Sequence, residues 1–406
     1  MATTITAHRI RLHPTPEQRW YCAQAAGIRR FVYNWGLAEY QRQYDAYKAG
    51  IQSVPPTVMD LKKQFNALRE DQFPWTYHVS KSVIEGAFFD LRDAFTHFFN
   101  SSKSGRPIGY PRFKKKGKSH ESFYLANDRF EIGAHWVRLQ VMGEFVAQAK
   151  GVAMTQAQKR RAGKVNMAET LRFAGRIIGA TICQEAGWWF ISIQVEVQQT
   201  THVNTKPTVG IDVGITEAAI VSDGRRFKNH KPLTTQITQL QRLGRRLSKK
   251  HYDPETKTSS KNREKANHKL ARLHYAIACQ RDDAQQKLTT EIARTCGTIG
   301  IEDLHVKGMM KNRRLARAMA DAGLGHLLTL FTQKMKAVGG TTIVVDRFFP
   351  STKRCSGCGH VKKRIPLKYR TYICLKCGLV IDRDLNAALN LEQEARRLAP
   401  TPRTVP

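Results

Sequence analysis

VGIDVGITEAAIVSDG, residues 209–224, decides the reading of the C-terminal half, because apolar runs flank a turn in the manner of a strand hairpin. Asp212 sits inside GIDVGI, where a purely structural sheet would prefer Val or Ile, since a buried carboxylate costs free energy unless it is paired. Beyond the hairpin, Thr234–Lys250 and Arg263–Cys296 read as a pair of long helical segments joined by the basic loop HYDPETKTSSKN. TIGIEDL (298–304) and TTIVVDRFF (341–349) read as further buried strands, separated by the helical segment Gly323–Val338. This alternation of strand and helix predicts an α/β domain from about Val209 to the end.

Two more acidic positions share the character of Asp212. Glu302 ends the apolar run TIGIE, and Asp382 and Asp384 open IDRDLNAALNL, in which Leu385, Ala388 and Leu389 give a helical face with Asp384 at its start. Carboxylates from three separated chain positions can converge on two divalent cations about 4 Å apart, which activate a water and stabilise the leaving oxygen of a phosphodiester. Magnesium suits such all-oxygen ligation. Taken singly, each acid is equally a cap or an ion-pair partner. Their combination in a chain of 67 Lys and Arg against 33 Asp and Glu, net charge +34, points to chemistry on a polyanion.

Cys355-Ser-Gly-Cys358 and Cys374-Leu-Lys-Cys377 form two C-x-x-C knuckles 15 residues apart, each followed by glycine (Gly359, Gly378). That spacing predicts a tetrahedral structural zinc site of ribbon type. With four sulfurs as ligands such a metal holds structure and has no open position for water. The knuckles fall between Glu302 and Asp384, so zinc helps to position the third carboxylate. Cys22, Cys183, Cys279 and Cys296 stand alone in apolar or helical contexts and are expected as small buried hydrophobes.

The N-terminal half is organised differently. Ile5–Leu12 reads as a half-buried strand closed by Pro14 and Pro16; its apolar phase slips near His8, consistent with a bulge. Helices are predicted from Glu17 to about Asn100, with Phe88, Leu91, Phe95 and Phe98 or Phe99 as a core stripe over Val83–Asn100. Ser101–Ser119 (SSKSGRPIGYPRFKKKGKS) is a basic connector, either a solvated loop or a phosphate-contacting strip with Tyr110 and Phe113 available for stacking and Arg112 and Lys114 among its cations. Between Glu121 and Val197, alternating runs such as VRLQV and WWFISIQVEV, punctuated by Gly133, Gly143, Gly163 and Gly187, predict a small β-barrel or sandwich that Ile5–Leu12 can complete. The helical region is then an insertion into a β-domain.

At 406 residues the chain can bury a core in two to four units. No apolar run approaches the roughly 18 residues of a spanning helix, and MATTITAHRIRLHP lacks the features of a secretory signal. A cytoplasmic location and no membrane partner are expected.

GIDVGI, IEDLHVKGMMKNRRLARAMADAG, VVDRFFPSTKRCSGCG and CGLVIDRDLNAALN, with RFVYNWGL and YPRFKKK in the N-terminal half, resemble the TnpB family of insertion-sequence proteins, relatives of the type V CRISPR nucleases. The resemblance covers nearly the whole chain. It implies a multidomain α+β architecture: a β-barrel wedge domain (1–15 and 101–201) with a helical recognition domain inserted (16–100), a linker (202–208), a RuvC-type, RNase H-like α/β nuclease domain (209–354 and 379–394) with an inserted zinc ribbon (355–378), and a flexible basic tail (395–406). It places the family's catalytic and magnesium-binding Asp, Glu, Asp triad on Asp212, Glu302 and Asp384. Asp384 is preferred to Asp382 because the family's third ligand stands two residues before an Asn, here Asn386.

The resemblance further implies a guide RNA made from the transposon end, a protein monomeric on that RNA, and cleavage of double-stranded target DNA beside a short adjacent motif. In such systems the protein reads the motif and backbone shape while guide pairing reads sequence. By position, Lys81 and the region Ser122–Asn127, with Ser122, Tyr124 and Asn127, resemble the family's contacts to the adjacent-motif duplex; Glu85 departs from the glutamine expected there. Lys81 is equally a solvated helix charge. Lys307, Lys311, Arg313 and Arg314 are expected along guide or target backbone, with a solvated face as the alternative. A cleavage-inactive RNA-guided repressor and a strand-joining transposase share the same architecture.

Overall fold

The computed structural model describes residues 3–103, 108–198, 204, 206–256, 258–366 and 368–399. The chain divides at Gln198 into two compact units.

The N-terminal unit begins with β1 (Thr3–His13) and continues through helices α1 (Pro16–Lys48), α2 (Val58–Gln72) and α3 (Lys81–Lys103). It then runs through β2 (Ser122–Ala126), β3 (Phe130–Ile132), β4 (Trp136–Leu139), α4 (Met142–Lys150), α5 (Gln156–Ala162), β5 (Lys164–Met167), β6 (Arg176–Glu185) and β7 (Trp188–Gln198). The strands form one seven-stranded sheet in the order β2-β6-β7-β1-β5-β4-β3, every neighbouring pair antiparallel. Because β2 and β3 are its two outer strands, the sheet is an open half-barrel where a closed barrel or a sandwich was expected.

Helix α1 starts where it does because Thr15 and Gln18 form a capping box and Pro16 fills the first turn, where a missing N–H is no loss. Tyr21, Ile28 and Leu37 of α1, Leu61 and Phe65 of α2, and Ile84, Phe88 and Leu91 of α3 share one core with Ile10, Phe123 and Ile191 of the sheet. The helical insertion therefore packs on the sheet that it interrupts. Phe95 joins this core, Phe98 is half-buried and Phe99 is exposed.

Strand β1 corrects the reading of the phase slip. Its register with β7 is unbroken from Thr3↔Gln198 to Leu12↔Trp189, so His8 marks no bulge. His8, Ile10 and Leu12 face inward and Ile5 is exposed, with His8 Nε2 3.4 Å from the Glu169 carboxylate. The irregularity lies instead in β6, between Ile177 and Gly179.

The C-terminal unit contains β8 (Thr208–Asp212), β9 (Glu217–Val221), β10 (Arg226–Lys228), α6 (Pro232–Ser248), β11 (Tyr252–Asp253), β12 (Thr258–Ser259), α7 (Lys261–Thr295) and β13 (Thr298–Glu302). It ends with α8 (Val306–Met309), α9 (Ala316–Ala322), α10 (Leu324–Ala337), β14 (Thr341–Val345), β15 (Thr371–Ile373), β16 (Val380–Asp382) and α11 (Arg383–Leu398). Its main sheet has the order β10-β9-β8-β13-β14: β10, β9 and β8 pair antiparallel, whereas β8, β13 and β14 are parallel.

Alternation along the strands separates the two faces. Val209, Ile211, Ile299 and Ile301 pack on Leu288 and Ile292 of α7 and Leu327 and Phe331 of α10. Gly210 and Gly300, cross-strand partners, face α11. A Cβ at Gly210 would lie 1.9 Å from the carbonyl oxygen of Ala388, and one at Gly300 would lie 2.6 Å from that of Leu391. Only hydrogen fits at either position.

Of the lone cysteines, Cys22, Cys183 and Cys296 are buried, but Cys279 is exposed on the outer side of α7, against expectation. Helix α11 runs on to Leu398 through the start of the segment expected as a flexible tail; residues 400–406 lie outside the described residues, as do 202, 203 and 205 of the expected linker. Among the described residues no helix is long and apolar enough to cross a membrane.

Two glycine substitutions test this packing. Gly210→Ala is expected to destabilise the C-terminal unit by roughly 1–3 kcal/mol or more, because its new methyl meets backbone that cannot rotate away. Gly244→Ala, within α6 and with nothing inside 4 Å, should stabilise by up to about 1 kcal/mol. Urea unfolding of the two variants against the parent measures both.

Candidate active site and metal centre

The parallel register Ile211↔Ile301 carries Asp212 and Glu302, the next residue of each strand, to the same edge of the sheet. Helix α11 brings the third carboxylate there. From its contact at Gly210, β8 advances two residues, about 7 Å, to Asp212. The helix goes back one turn from Ala388, about 6 Å, to Asp384.

The electrostatics agree with this placement. Burial, followed by the Asp384 and Glu302 charges, pushes the Asp212 carboxyl up to about 8, with Arg383 opposing. Burial and neighbouring Asp303 raise Glu302. A buried Asp212 that feels both Asp384 and Glu302 calls for either a proton or a cation. Asp384 meanwhile lies 3.2 Å from Arg383 Nη2 and 3.5 Å from Arg370 Nη1, so guanidinium charge stands in its neighbourhood. Asp382 is the N-cap of α11: its Oδ1 accepts from the backbone N–H of Asp384 at 3.0 Å and of Leu385 at 2.9 Å, and Arg226 pairs with it at 3.3 Å. That role accounts for Asp382, whereas the Asp384 charge acts on Asp212 more strongly than that of Glu302 or Asp382 does.

Among the described residues, the one cluster of Cys, His, Asp or Glu whose ligand atoms all lie within 4.8 Å of one another is Cys355, Cys358, Cys374 and Cys377; the carboxylates are spaced more widely. The Sγ atoms of Cys355 and Cys377, and those of Cys358 and Cys374, are 3.6 Å apart. A tetrahedron of thiolates about 2.3 Å from zinc has edges of about 3.8 Å, so the four sulfurs fit that ion and are too far apart for disulfides. The backbone N–H groups of Cys377 and Lys376 hold the Cys374 thiol well below the usual thiol range, which favours the ligating thiolate.

This knuckle is fastened to α11 by two buried asparagines one turn apart. Asn386 Oδ1 accepts from Ser356 N–H at 2.9 Å, and its Nδ2 donates to the Arg354 carbonyl at 2.7 Å. Asn390 Nδ2 donates to the carbonyls of Ser351 at 2.8 Å and Arg354 at 2.7 Å. Asn386 entered the sequence reading only as a motif marker, while Asn390, Arg370 and Arg383 went unnoticed. Two Asn at i and i+4 in an otherwise apolar helix face were the available signal.

The expected nucleic-acid contacts separate by exposure. Lys81, Arg112, Asn127, Lys307, Lys311, Arg313 and Arg314 are exposed. Tyr110 is partly exposed and packs edge-on against Phe95 and Phe98. Lys114 is turned inward, 3.0 Å from Asp90 and over the Tyr33 ring, and the buried Ser122 hydroxyl accepts from Arg29 at 2.6 Å. Both are committed within the fold, which corrects their assignment to the surface. Tyr124 is half-buried, and Glu85 pairs with Lys62 at 3.1 Å.

Comparison with known proteins gives a consistent result. A family model described as "Probable transposase" matches residues 192–313, one described as "Cas12f1-like, TNB domain" matches 325–391, and one described as "Helix-turn-helix domain" matches 1–49. A Streptomyces pristinaespiralis protein named "Putative RNA-guided DNA endonuclease" is 31% identical over 95% of this chain and 88% of its own length. The Escherichia coli K12 protein "Putative RNA-guided DNA endonuclease InsQ" is 28% identical over 95% of this chain and 91% of its own. The solved "mini-RNA-guided endonuclease CRISPR-Cas_phi3" aligns over 97% of this chain and 92% of its own at 10% identity and a TM-score of 0.47, a likeness too distant to carry an argument.

The raised Asp212 has a definite consequence for stability. Its folded value near 8 exceeds the ordinary 3.8, so its contribution is full below about pH 4 and is lost as pH rises through about 8. In metal-free buffer the parent's melting temperature should therefore fall relative to that of Asp212→Asn between about pH 5 and about pH 9. Parallel profiles would show that the carboxylates do not crowd one another. Separately, Asn386→Ala leaves the buried Ser356 N–H and Arg354 carbonyl short of a partner and should cost roughly 2–4 kcal/mol in denaturant unfolding of the zinc-loaded chain.

Proposed function

The chain belongs to the TnpB family of transposon-encoded RNA-guided DNA endonucleases, and from that premise we propose that it cuts target DNA selected by a bound guide RNA. The observation that carries the catalytic part is the placement of Asp212 and Glu302 side by side at the ends of β8 and β13, with Asp212 feeling the charges of both Glu302 and Asp384. Three antiparallel strands followed by two parallel ones fit a RuvC-type, RNase H-like nuclease domain spanning 209–354 and 379–398, with the zinc ribbon, 355–378, inserted before α11. The half-barrel and its helical insertion fit the wedge (1–15 and 101–201) and recognition (16–100) domains.

Asp212, Glu302 and Asp384 would hold magnesium, and all-oxygen ligands of like charge suit that ion. When bound, a pair of such ions supplies Lewis-acid stabilisation of the attacking and leaving oxygens of a phosphodiester. The chain's own contribution is placement: β8 and β13 fix two carboxylates, α11 fixes the third, and Arg370 and Arg383 balance the charge of Asp384. Zinc would sit on Cys355, Cys358, Cys374 and Cys377 and act structurally. The guide RNA is proposed to derive from the transposon end, with cleavage beside a short adjacent motif.

The test is cleavage by the purified chain, loaded with its co-purifying RNA and magnesium, of duplex DNA matched or unmatched to that RNA. The matched duplex alone should be cut. Asp212→Ala should bind it equally while cutting slower by about a thousandfold or more, the equivalent of several kcal/mol of lost charge stabilisation. Matched DNA bound but left intact by the parent would support the repressor reading, and joining of a donor end would support the transposase.

A further inference from the structure

The turn that leaves β14 carries the most exposed large aromatic ring among the described residues, Phe348, which is 87% exposed. Its neighbour Phe349 is half-buried beneath the Arg354 guanidinium, 5.8 Å away. A single apolar side chain in water is ordinary on a protein surface. The place of this one and the rigidity of its turn set it apart.

Strand β14 runs parallel to β13, and Val345 is the register partner of Glu302, so the chain leaves β14 at the edge where β8 and β13 end on Asp212 and Glu302. It stays beside that edge. The Asp303 N–H donates to the Val345 carbonyl at 3.1 Å, and two residues further on Arg347 reaches back to Asp303, its Nη2 2.6 Å from the carboxylate and its Nε 3.3 Å from the carbonyl. Partner strands lie about 4.8 Å apart and three residues of chain span at most about 11 Å, so the Cα of Phe348 is within about 16 Å of that of Glu302. Stacked nucleotides rise about 3.4 Å each, and fewer than about five cover that distance.

Asp346 fixes the turn on both sides of the ring's own residue: its Oδ1 accepts from the Phe348 N–H at 2.8 Å and its carbonyl from the Phe349 N–H at 3.0 Å. Pro350 follows with its φ set by the pyrrolidine ring, and Asn390 of α11 holds the Ser351 carbonyl at 2.8 Å. The turn is thus tied to β13 on one side and to α11 on the other, the elements that carry Glu302 and Asp384. A phenyl ring held in water forgoes the free energy of burial, which an apolar face laid over it would recover. The exposed cations beside it, Arg347 and Lys353, and the chain's charge of +34 point to a nucleic acid as the source of that face. Of its parts only the base is flat and apolar, and it is free to stack where the strand is unpaired.

We propose that Phe348 is a positioning residue of the nuclease site: its ring stacks on an unpaired base of the strand being cut and so sets which phosphate lies over the carboxylates. This rests on the RNA-guided nuclease reading for the identity of the strand. Every base has a π-face, so the contact orders the strand without reading its sequence.

The test is a double-mutant cycle between protein and DNA. The purified chain, with its co-purifying RNA and magnesium, is given matched duplexes in which one nucleotide at a time, within about five of the cut, is abasic on the strand being cut. At one position the missing base should slow single-turnover cleavage by the parent about tenfold, and Phe348→Ala should slow cleavage of the intact duplex by a similar factor. Both changes together should cost no more than either alone, because they remove one contact. Phe348→Trp should cut the intact duplex at the parental rate and keep the sensitivity at that position. The melting temperature of Phe348→Ala should stay that of the parent, the ring being exposed. Effects that multiply, or a Phe348→Ala variant as fast as the parent, would overturn the assignment. A second measurement needs no guided cleavage: a single-stranded DNA oligonucleotide carrying 2-aminopurine, bound in calcium buffer, should be quenched more by the parent and by Phe348→Trp than by Phe348→Ala. If the parent leaves matched duplex intact, the guided reading fails, while unequal quenching still supports the stacking contact and equal quenching overturns it.

Discussion

Helix α11 lies so close to β8 and β13 that residues 210 and 300 can carry only a hydrogen, and this contact fixes the geometry of the candidate site. Most helix–sheet packing is mediated by interlocking side chains, which can shift rotamer and let a helix slide by fractions of an ångström. Here helix backbone meets strand, and the one side chain at the contact, the methyl of Ala395 beside Gly300, has no rotamer with which to absorb an error. The start of the helix is therefore located against the strand ends about as well as the strands are located against each other. A carboxylate constellation needs that accuracy, because misplacement of about 1 Å at a reacting centre costs rate heavily.

The same contact brings charges together that would otherwise avoid one another. Burial and two neighbouring acids make ionised Asp212 unfavourable, and the remedy near Asp384 is a pair of guanidinium groups, Arg370 from the ribbon and Arg383 from the helix itself. The N-terminus of α11 adds its partial positive charge at the same place. These interactions let the site fold in the absence of a metal ion. Arg370, exposed and 3.5 Å from the Asp384 carboxylate, is the looser of the two.

Much of this was legible in the residues and some of it could not have been. Asp212 and Glu302 stood out because a carboxylate among Val, Ile and Gly contradicts its surroundings, and the paired C-x-x-C knuckles define a ligand set by spacing alone. The glycines beside them were silent, since a close approach of two backbones leaves no trace in either local pattern. His8 misled because periodicity was read from apolar residues only; a buried His near Glu169 belongs to the inward phase just as Ile10 does. The short helices α4 and α5 were absorbed into a run of expected strands because nine and seven residues give periodicity little length to register. Lys114 was placed on the surface by the composition of its segment and Ser122 by its position in the family resemblance, and only the fold shows their partners, Asp90 and Arg29.

The ribbon's place in the chain follows from the demands on α11. Between Val345 and Arg383 the described chain contains just two three-residue strands, β15 and β16, and its apolar cluster amounts to Cys355, Tyr372 and Cys374 with Ile365, Leu379 and Ile381 against them. A core that small cannot offset the conformational entropy of ordering so long a connection. Four thiolates on one ion can, because the free energy of metal binding becomes folding free energy in such segments. Asn386 and Asn390 then carry that order across to the helix, since their carboxamides bond to the backbone of residues 351–356 and sit in the first two turns after Asp384. Rigid backbone contact sets where the helix lies on the sheet, and the asparagines hold the ribbon to its first turns, so a metal held by the four thiolates would bear on where Asp384 stands.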